Sequence, residues 1–277
     1  VDIGAFEVVG CTQAPANLLA WYSGEGDPKD RFGINDLNWS GTAAYGAGKV
    51  NQAFSFSGAQ FATIPVSGAS RLNITGNQVT IDGWVRPTSA SGDDVYFGRT
   101  ANADNDFLLI RQFNQLTAMV RTTTGETTAL AGGYDVPLNE WTHLAMVYNG
   151  STITIYVNGV VMGTPTPKTG NVFAGSAPFN IGGRAGGLYL NGLVDEVQVF
   201  DRALSASEIG TIYNAAGAGK CAAPEIVIEE PLTNVLVDNV GNRDFGSSPV
   251  GVAGTTKTFT VRNAGTAPLS VNVPNIL

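Results

Sequence analysis

Short apolar runs alternate with turn residues along most of the chain. From Leu18 to Tyr213 the runs are five to eight residues long, and Gly, Asn, Asp and Ser separate them. Regularly spaced short strands of this kind are typical of an all-β sandwich or barrel. The predicted strands are Gln52–Phe56, Val79–Val85, Phe107–Arg111, Leu116–Arg121, His143–Tyr148, Thr152–Val157 and Leu193–Phe200.

Alternation with a period of two is clear in the run that begins at Val79. Successive side chains of a strand point to opposite faces of the sheet. Ile81 and Val85 should therefore lie on one face, and Asp82, Trp84 and Arg86 on the other. The pattern predicts one buried face and one face that carries polar and aromatic side chains.

Two segments near the end of the chain depart from the pattern of short strands. Ser205–Asn214 is the one helical candidate, because Ser205 and Glu208 have the spacing of a capping box. After Cys221 the pattern predicts a linker at 222–226 and a second all-β unit at 227–277. That unit is shorter than a complete sandwich of about 100 residues, so we expect a partial domain.

Composition favours a well-packed, turn-rich β fold and excludes several function classes. Hydrophobic residues make up 43% of the chain and charged residues 14%, with a net charge of −8. Disorder requires the opposite balance. No Lys/Arg cluster is present that would neutralise a run of phosphates, so we expect no nucleic-acid partner. No apolar run reaches the roughly 20 residues of a membrane helix, so we expect no membrane insertion.

The two cysteines lie far apart in the sequence. Cys11 and Cys221 have neither the clustering of a metal site nor the C-x-x-C spacing of a redox site. A disulfide that joins the two ends of one domain is the favoured interpretation, and two unrelated thiols are the alternative. A disulfide implies an oxidising, secreted or cell-surface location.

The inventory of catalytic groups predicts a protein that is not an enzyme. Glycoside hydrolysis uses two carboxylates that flank the scissile bond. Asp195 and Glu196 are adjacent, so on a regular strand they would point to opposite faces. His143 is the one histidine, and its position at the start of a predicted strand favours a structural role.

Four ordered segments resemble the laminin G-like family of concanavalin A-like lectin/glucanase domains. They are LLAWYSGEGDPKD from Leu18, GKVNQAFSFSG from Gly48, NEWTHLAMVYNGSTITIYVNG from Asn139, and Phe179–Asn214. The resemblance implies a two-sheet antiparallel jelly roll at about residues 11–221. Lys257–Thr266 resembles the start of an immunoglobulin-like choice-of-anchor D or Hydin-like domain. Val1–Gly10 resembles the end of a bacterial parallel β-helix surface domain, so an excised segment is expected.

A structural calcium ion is the cofactor that this resemblance implies. Calcium takes six to eight oxygen ligands. The turn at 24–30 supplies Glu25, Asp27 and Asp30, and relatives tie such a turn to an acidic residue on the closing strand, here Asp195. Ordinary turn carboxylates are the alternative. A second acidic group, formed by residues 93–94 and 104–106, is a weaker candidate.

A ligand site is expected on the concave sheet or at its rim. Sugars stack on aromatic rings and are held by a few polar groups. The candidate ligand-binding residues are Asp82, Trp84, Arg86, Arg99, Arg111 and Arg121. In the alternative, Trp84 packs beneath a loop and the arginines are solvated.

The sequence therefore predicts a non-catalytic carbohydrate-binding or adhesion module of a large secreted or cell-surface protein. A glycan or another extracellular polymer would be its partner. The alternative is a structural spacer or assembly domain of a surface fibre or filament, with no glycan ligand. The partial C-terminal domain would leave an open sheet edge, which favours self-assembly.

Overall fold

The computed structural model describes residues 12–64, 72–90, 92–101, 104–173, 175–215, 220–221, 226–229 and 260–263. The chain divides into one compact unit at Gly10–Lys220 and a second unit that contains Val1–Val9 and Cys221–Leu277. Elements are numbered in chain order: β1 (Thr12–Gln13), β2 (Leu18–Tyr22), β3 (Asn38–Ser40), β4 (Tyr45–Ala47), β5 (Gln52–Ser57), β6 (Phe61–Ile64), β7 (Val79–Pro87), β8 (Asp94–Thr100), β9 (Asn105–Gln112), β10 (Gln115–Thr122), β11 (Gly125–Leu130), β12 (Thr142–Tyr148), β13 (Thr152–Val157), β14 (Val160–Pro167), β15 (Phe179–Ile181), β16 (Asn191–Phe200), α1 (Ala206–Ala215), β17 (Lys220–Cys221), β18 (Ile226–Glu229) and β19 (Thr260–Asn263).

Two antiparallel sheets form a sandwich, as the sequence predicts. The seven-stranded sheet has the order β11-β10-β9-β8-β15-β6-β3. The eight-stranded sheet has the order β14-β13-β12-β7-β16-β5-β4, with β2 also paired to β16. Strands distant in sequence are neighbours in both sheets, which is the connectivity of a jelly roll.

The main core lies between the sheets and confirms the alternation predicted for β7. Ile81 and Val85 are fully buried members of this core. Asp82, Trp84 and Arg86 point to the opposite side, the outer face of the eight-stranded sheet. The predicted inner and outer faces of this strand are therefore confirmed.

Helix α1 covers part of that outer face. Its N-terminus has the predicted capping box, because the backbone N–H of Glu208 donates to Ser205 Oγ (3.2 Å) and that of Ser205 donates to Glu208 Oε2 (2.8 Å). Ile209, Ile212 and Ala215 are its buried apolar residues. Tyr213 stacks on Trp84 with ring centroids 5.6 Å apart. The helix therefore packs over the outer face of β7, and the sequence alone did not indicate which element covers that face.

The seven-stranded sheet also carries an apolar cluster on its outer face. Val95, Leu108, Ile110 and Met119 are buried there, and Leu188 packs against them. Strand β9 is therefore buried on both faces, which explains its continuous apolar run. The segment 182–190, here called the cover loop, places Leu188 against this cluster.

Gly98 shows how tightly β8 and β9 pair. Its φ is +145°, and a Cβ atom there would lie 2.4 Å from Leu108 Cα and from Phe107 O. The pairing has irregularities between Val95 and Phe97 and between Arg99 and Thr100. A glycine is therefore required where the bulged strand approaches its neighbour.

The second unit is described over two short strands. β18 and β19 pair antiparallel. Val1–Gly10 and the remainder of 222–277 lie outside the described residues, so the β-helix tail and the immunoglobulin-like domain stay predictions. Among the described residues, no helix is long and apolar enough to cross a membrane.

Candidate functional site

The ring of Trp84 is covered by neighbouring side chains. The residue is 3% exposed. His143 lies edge-on to it at 5.3 Å, and Tyr213 stacks on it. The ammonium group of Lys49 lies 4.4 Å from the ring centroid. Trp84 is packed, as the alternative interpretation expected, but the residue that stacks on it belongs to helix α1 and not to a loop.

Asp82 and Arg86, which share a face of β7 with Trp84, each contact another residue of the protein. Asp82 is fully buried, and its Oδ1 lies 3.3 Å from Nε2 of His143. Arg86 donates from Nε to the carbonyl oxygen of Asn139 (3.0 Å). A ligand role for Asp82 and Trp84 stays a prediction that would require this layer to open.

Three arginines of the predicted ligand site lie in the other sheet. Arg99 is 2% exposed and donates to Asp106 Oδ2 (3.0 Å) and to the carbonyl oxygens of Leu72 and Gly175. These bonds tie three chain segments to the end of β8. Arg99 is therefore a buried connector, not a solvated side chain.

Arg111 and Arg121 hold the rim of the same sheet. Arg111 donates to both carboxylate oxygens of Asp135, at 2.8 and 2.9 Å. Arg121 pairs with Asp104, and its guanidinium lies 4.4 Å from the ring centroid of Phe173. The six predicted ligand residues are thus divided between two sheets and do not form one site.

The predicted calcium ligands are also divided. Asp30 accepts the backbone N–H groups of Trp21, Phe32 and Asn35, so it organises its own turn. Burial raises the pKa of Asp30 more than these hydrogen bonds lower it. Asp27 accepts from the backbone of Lys29 and from Arg31 and belongs to the same turn.

Glu25 and Asp195 meet at another loop. Asp195 Oδ2 accepts the backbone N–H groups of Lys49 (2.8 Å) and Val50 (2.9 Å). Glu25 accepts from Asn51 Nδ2 and from the backbone N–H of Gln52. Among the described residues, no group of three or more His, Cys, Asp or Glu could hold a metal ion. Calcium at Asp195 and Glu25 stays a prediction, as does the disulfide, because Cys11 and the side chain of Cys221 lie outside the described residues.

Asp195 is held in an electrostatically unfavourable position. Its side chain is fully buried, and Oδ1 has no hydrogen-bond partner in the described part of the chain. Burial, followed by repulsion from Glu196, raises its pKa to about 8. The two backbone N–H groups oppose this shift without cancelling it.

The predicted alternation fails at Asp195 and Glu196. A register shift lies between Asp195 and Gln198, and Glu196 has a φ of +54°. The bulge turns Glu196 so that Oε2 accepts from Trp21 Nε1 (3.1 Å). One extra residue in a strand interrupts the two-residue period that the prediction assumed.

The second acidic group is divided among separate contacts. Asp93 accepts from Gln112 Nε2 (3.3 Å), while Asp104 and Asp106 pair with Arg121 and Arg99. Asp94 is 5% exposed, and burial raises its pKa to about 6 against the attraction of Arg111.

The cover loop brings together polar groups that the sequence prediction missed. Arg184 donates from Nη1 to Thr100 Oγ1 (3.0 Å), the carbonyl oxygen of Ala101 (2.8 Å) and Asn105 Oδ1 (3.3 Å). Asn180, on β15, donates from Nδ2 to the carbonyl oxygen of Thr100 (2.8 Å). The loop therefore joins β8, β9 and β15 on the outer face.

Two atoms of this network have no hydrogen-bond partner among the described residues. They are the donor Arg184 Nε and the acceptor Asn180 Oδ1, both buried. Tyr189, half-buried in the same loop, stacks on Phe61 with centroids 6.1 Å apart. A hydroxyl group both donates and accepts, so each of the two unpaired atoms could bond to one. No periodic pattern in the sequence indicated that this glycine-rich loop would bring these groups together.

Comparisons with known proteins agree with this fold. A family model described as the concanavalin A-like lectin/glucanases superfamily matches residues 56–210. The comparison with curated protein sequences gives no match. Domain 4 of AbnA, a GH43 extracellular arabinanase from Geobacillus stearothermophilus, solved in complex with arabinotriose, is similar at a TM-score of 0.59 and 24% identity, over 72% of this chain and 98% of that chain.

Two further structures resemble it at lower identity. Trypanosoma rangeli sialidase in complex with 2,3-difluorosialic acid has a TM-score of 0.54 and 17% identity, over 76% of this chain and 36% of that chain. The binding domain of botulinum neurotoxin DC in complex with SialylT has a TM-score of 0.56 and 12% identity, over 77% and 57%. At these identities the likeness shows a shared fold.

Proposed function

Because this chain belongs to the concanavalin A-like lectin/glucanases superfamily, we propose that it is a non-catalytic carbohydrate-binding module of a secreted or cell-surface protein. The observation that carries the proposal is the polar network beneath the cover loop. It combines the aromatic ring of Tyr189 with an unpaired donor on Arg184 and an unpaired acceptor on Asn180. Sugar sites pair an aromatic face with a few oriented polar groups.

The position of this network supports a binding role. Arg184 and Asn180 both bond to Thr100, so their polar groups are fixed relative to each other. A preorganised site loses little conformational entropy when a ligand binds. The unpaired atoms are buried, so a sugar hydroxyl would reach them by displacing part of the cover. The arabinotriose complex of the similar arabinanase domain supports the same ligand class.

A binding role without catalysis is proposed because the adjacent acidic pair is poorly placed for hydrolysis. Asp195 and Glu196 lie on β16, in the other sheet, and are 0% and 2% exposed. A glycosidase needs two carboxylates that flank a bound sugar. Carboxylates near the network, such as Glu126, are engaged by Asn105.

Glycan-array binding of the full chain, with calcium and with EDTA, tests the proposal. Each glycan that binds on the array would then be titrated into the wild type, Tyr189→Ala and Tyr189→Phe. We expect the first variant to lose binding and the second to retain it, because Phe keeps the ring that stacks on Phe61. Absence of binding by the folded chain in both buffers would contradict the proposal and favour the spacer function. Equal binding by all three proteins would move the site away from the cover loop.

A further inference from the structure

The tip of the β9–β10 hairpin carries a phenylalanine in a conformation that phenylalanine rarely adopts. Phe113 and Asn114 connect the paired residues Gln112 and Gln115, with φ of 56° and 58°. Two left-handed residues make a type I′ turn, which favours Asn-Gly. A bulky residue at positive φ is an outlier. Such strain is concentrated at positions where the side chain has a function.

The β13–β14 hairpin provides an internal comparison. Its turn residues are Asn158 and Gly159, with φ of 49° and 81°. The chain thus makes the same kind of turn with the favoured residues at one hairpin and with Phe-Asn at another. Packing does not explain the difference. Phe113 is 69% exposed, the largest exposed fraction among the large hydrophobic residues that the structure describes.

The hairpin tip is fixed on both sides. Arg111 donates to Asn114 Oδ1 (3.3 Å) and to the carbonyl oxygen of Gly92 (2.6 Å), and it also holds Asp135. Gln112 Nε2, on the other side of the strand, donates to Asp93. The ring is therefore presented from a rigid base, as a stacking platform requires.

The groups around this base indicate the charge of the ligand. Three carboxyl groups, those of Asp93, Asp94 and Asp135, lie near two guanidinium groups, those of Arg111 and Arg184. The local excess is negative, and an anionic ligand would be repelled. Carboxylate oxygens accept hydrogen bonds from hydroxyl groups. An aromatic ring beside such acceptors fits a neutral sugar.

We propose that Phe113 is the stacking platform of a binding site for neutral glycans, with Asp93 and Asp135 as hydrogen-bond acceptors. The inference rests on the proposed carbohydrate-binding function and adds to it a residue, a location at the β9–β10 rim and a ligand class.

The test compares Phe113→Gly, Phe113→Leu and Phe113→Trp in the full chain by calorimetric titration. The ligands are a neutral glycan that the wild type binds and the same glycan with a terminal sialic acid. We expect Phe113→Gly and Phe113→Leu to bind about tenfold more weakly and Phe113→Trp to bind like the wild type, since stacking needs an aromatic face. Phe173→Leu is the matched control at another exposed aromatic residue, and it should leave affinity unchanged.

Stability provides a second readout. Glycine relieves the strain at positive φ, so Phe113→Gly should melt about 2–4 °C higher although it binds more weakly. If Phe113→Gly binds as tightly as the wild type, this inference is overturned while the proposed function stands. Tighter binding of the sialylated glycan would overturn the ligand class. Failure of the wild type to bind any glycan would overturn both proposals.

Discussion

Asp195 should make the folded protein less stable as the pH rises. In the folded state its pKa is about 8, against 3.8 for an ordinary aspartate. Between these values the unfolded chain releases a proton that the folded chain retains. The free energy of unfolding therefore falls as the pH rises through this window. Below about pH 4 and above about pH 8 the ionisation of Asp195 adds no further pH dependence. The slope is about 1.4 kcal/mol per pH unit, so the loss between pH 5 and pH 7 is about 3 kcal/mol.

The variant Asp195→Asn tests this reasoning because its amide resembles the neutral carboxyl at every pH. Its oxygen can still accept the N–H groups that Asp195 accepts from Lys49 and Val50. Urea unfolding would be followed by tryptophan fluorescence at pH 5, 6, 7 and 8 in EDTA. We expect the free energy of unfolding of the variant, relative to the wild type, to rise by about 3 kcal/mol from pH 5 to pH 7. Asp27→Asn, at a half-exposed turn position, is the control for loss of one charge.

A pH-independent difference between Asp195→Asn and the wild type would refute the argument. The same experiment tests calcium. A calcium ion on the carboxylates of Asp195 and Glu25 would offset their repulsion, so the wild type would gain stability with calcium at pH 7 and the variant would not. The gain is about 2.7 kcal/mol when calcium is present at 100 times its dissociation constant. Identical unfolding curves in calcium and EDTA would contradict the predicted cofactor.

Three further predictions concern the fold. Gly98→Ala should lower the free energy of unfolding by about 3 kcal/mol, because its Cβ would meet the backbone of β9. Gly210→Ala is the control, since Gly210 lies in open space on α1, and it should be neutral or stabilising by up to about 1 kcal/mol. Urea titrations compare the two variants. Ser205→Ala should remove the helix cap and lower the free energy of unfolding by about 1 kcal/mol in the same assay. Mass spectrometry of unreduced peptides should find Cys11 joined to Cys221, and reduction should destabilise the domain by up to about 5 kcal/mol; free thiols at both positions would contradict this.

The sequence predicted the fold because seven strands, β5, β7, β9, β10, β12, β13 and β16, carry their own signal. Alternation in β7 identified the residues that enter the core, and the spacing of Ser205 and Glu208 identified the start of α1. The sequence did not show how the predicted site residues are covered, because alternation separates two faces without showing what packs over each one. Trp84 is buried by Tyr213, which is 129 residues away in sequence (213 − 84). No local pattern carries that information.

The two outer faces of the sandwich are covered by different elements. Under the proposed function, this difference decides on which face we expect a ligand to bind. On the eight-stranded sheet α1 packs over β7, and the buried polar residues Asp82 and His143 pair with each other beneath it. On the seven-stranded sheet the covering element is a glycine-rich loop, which contributes Arg184 and the half-buried Tyr189. A helix fixed by a capping box and buried isoleucines is a poor candidate for displacement by a ligand. A hydroxyl group that entered beneath this loop would bond to the unpaired donor and acceptor, so the proposed function predicts binding on the seven-stranded sheet.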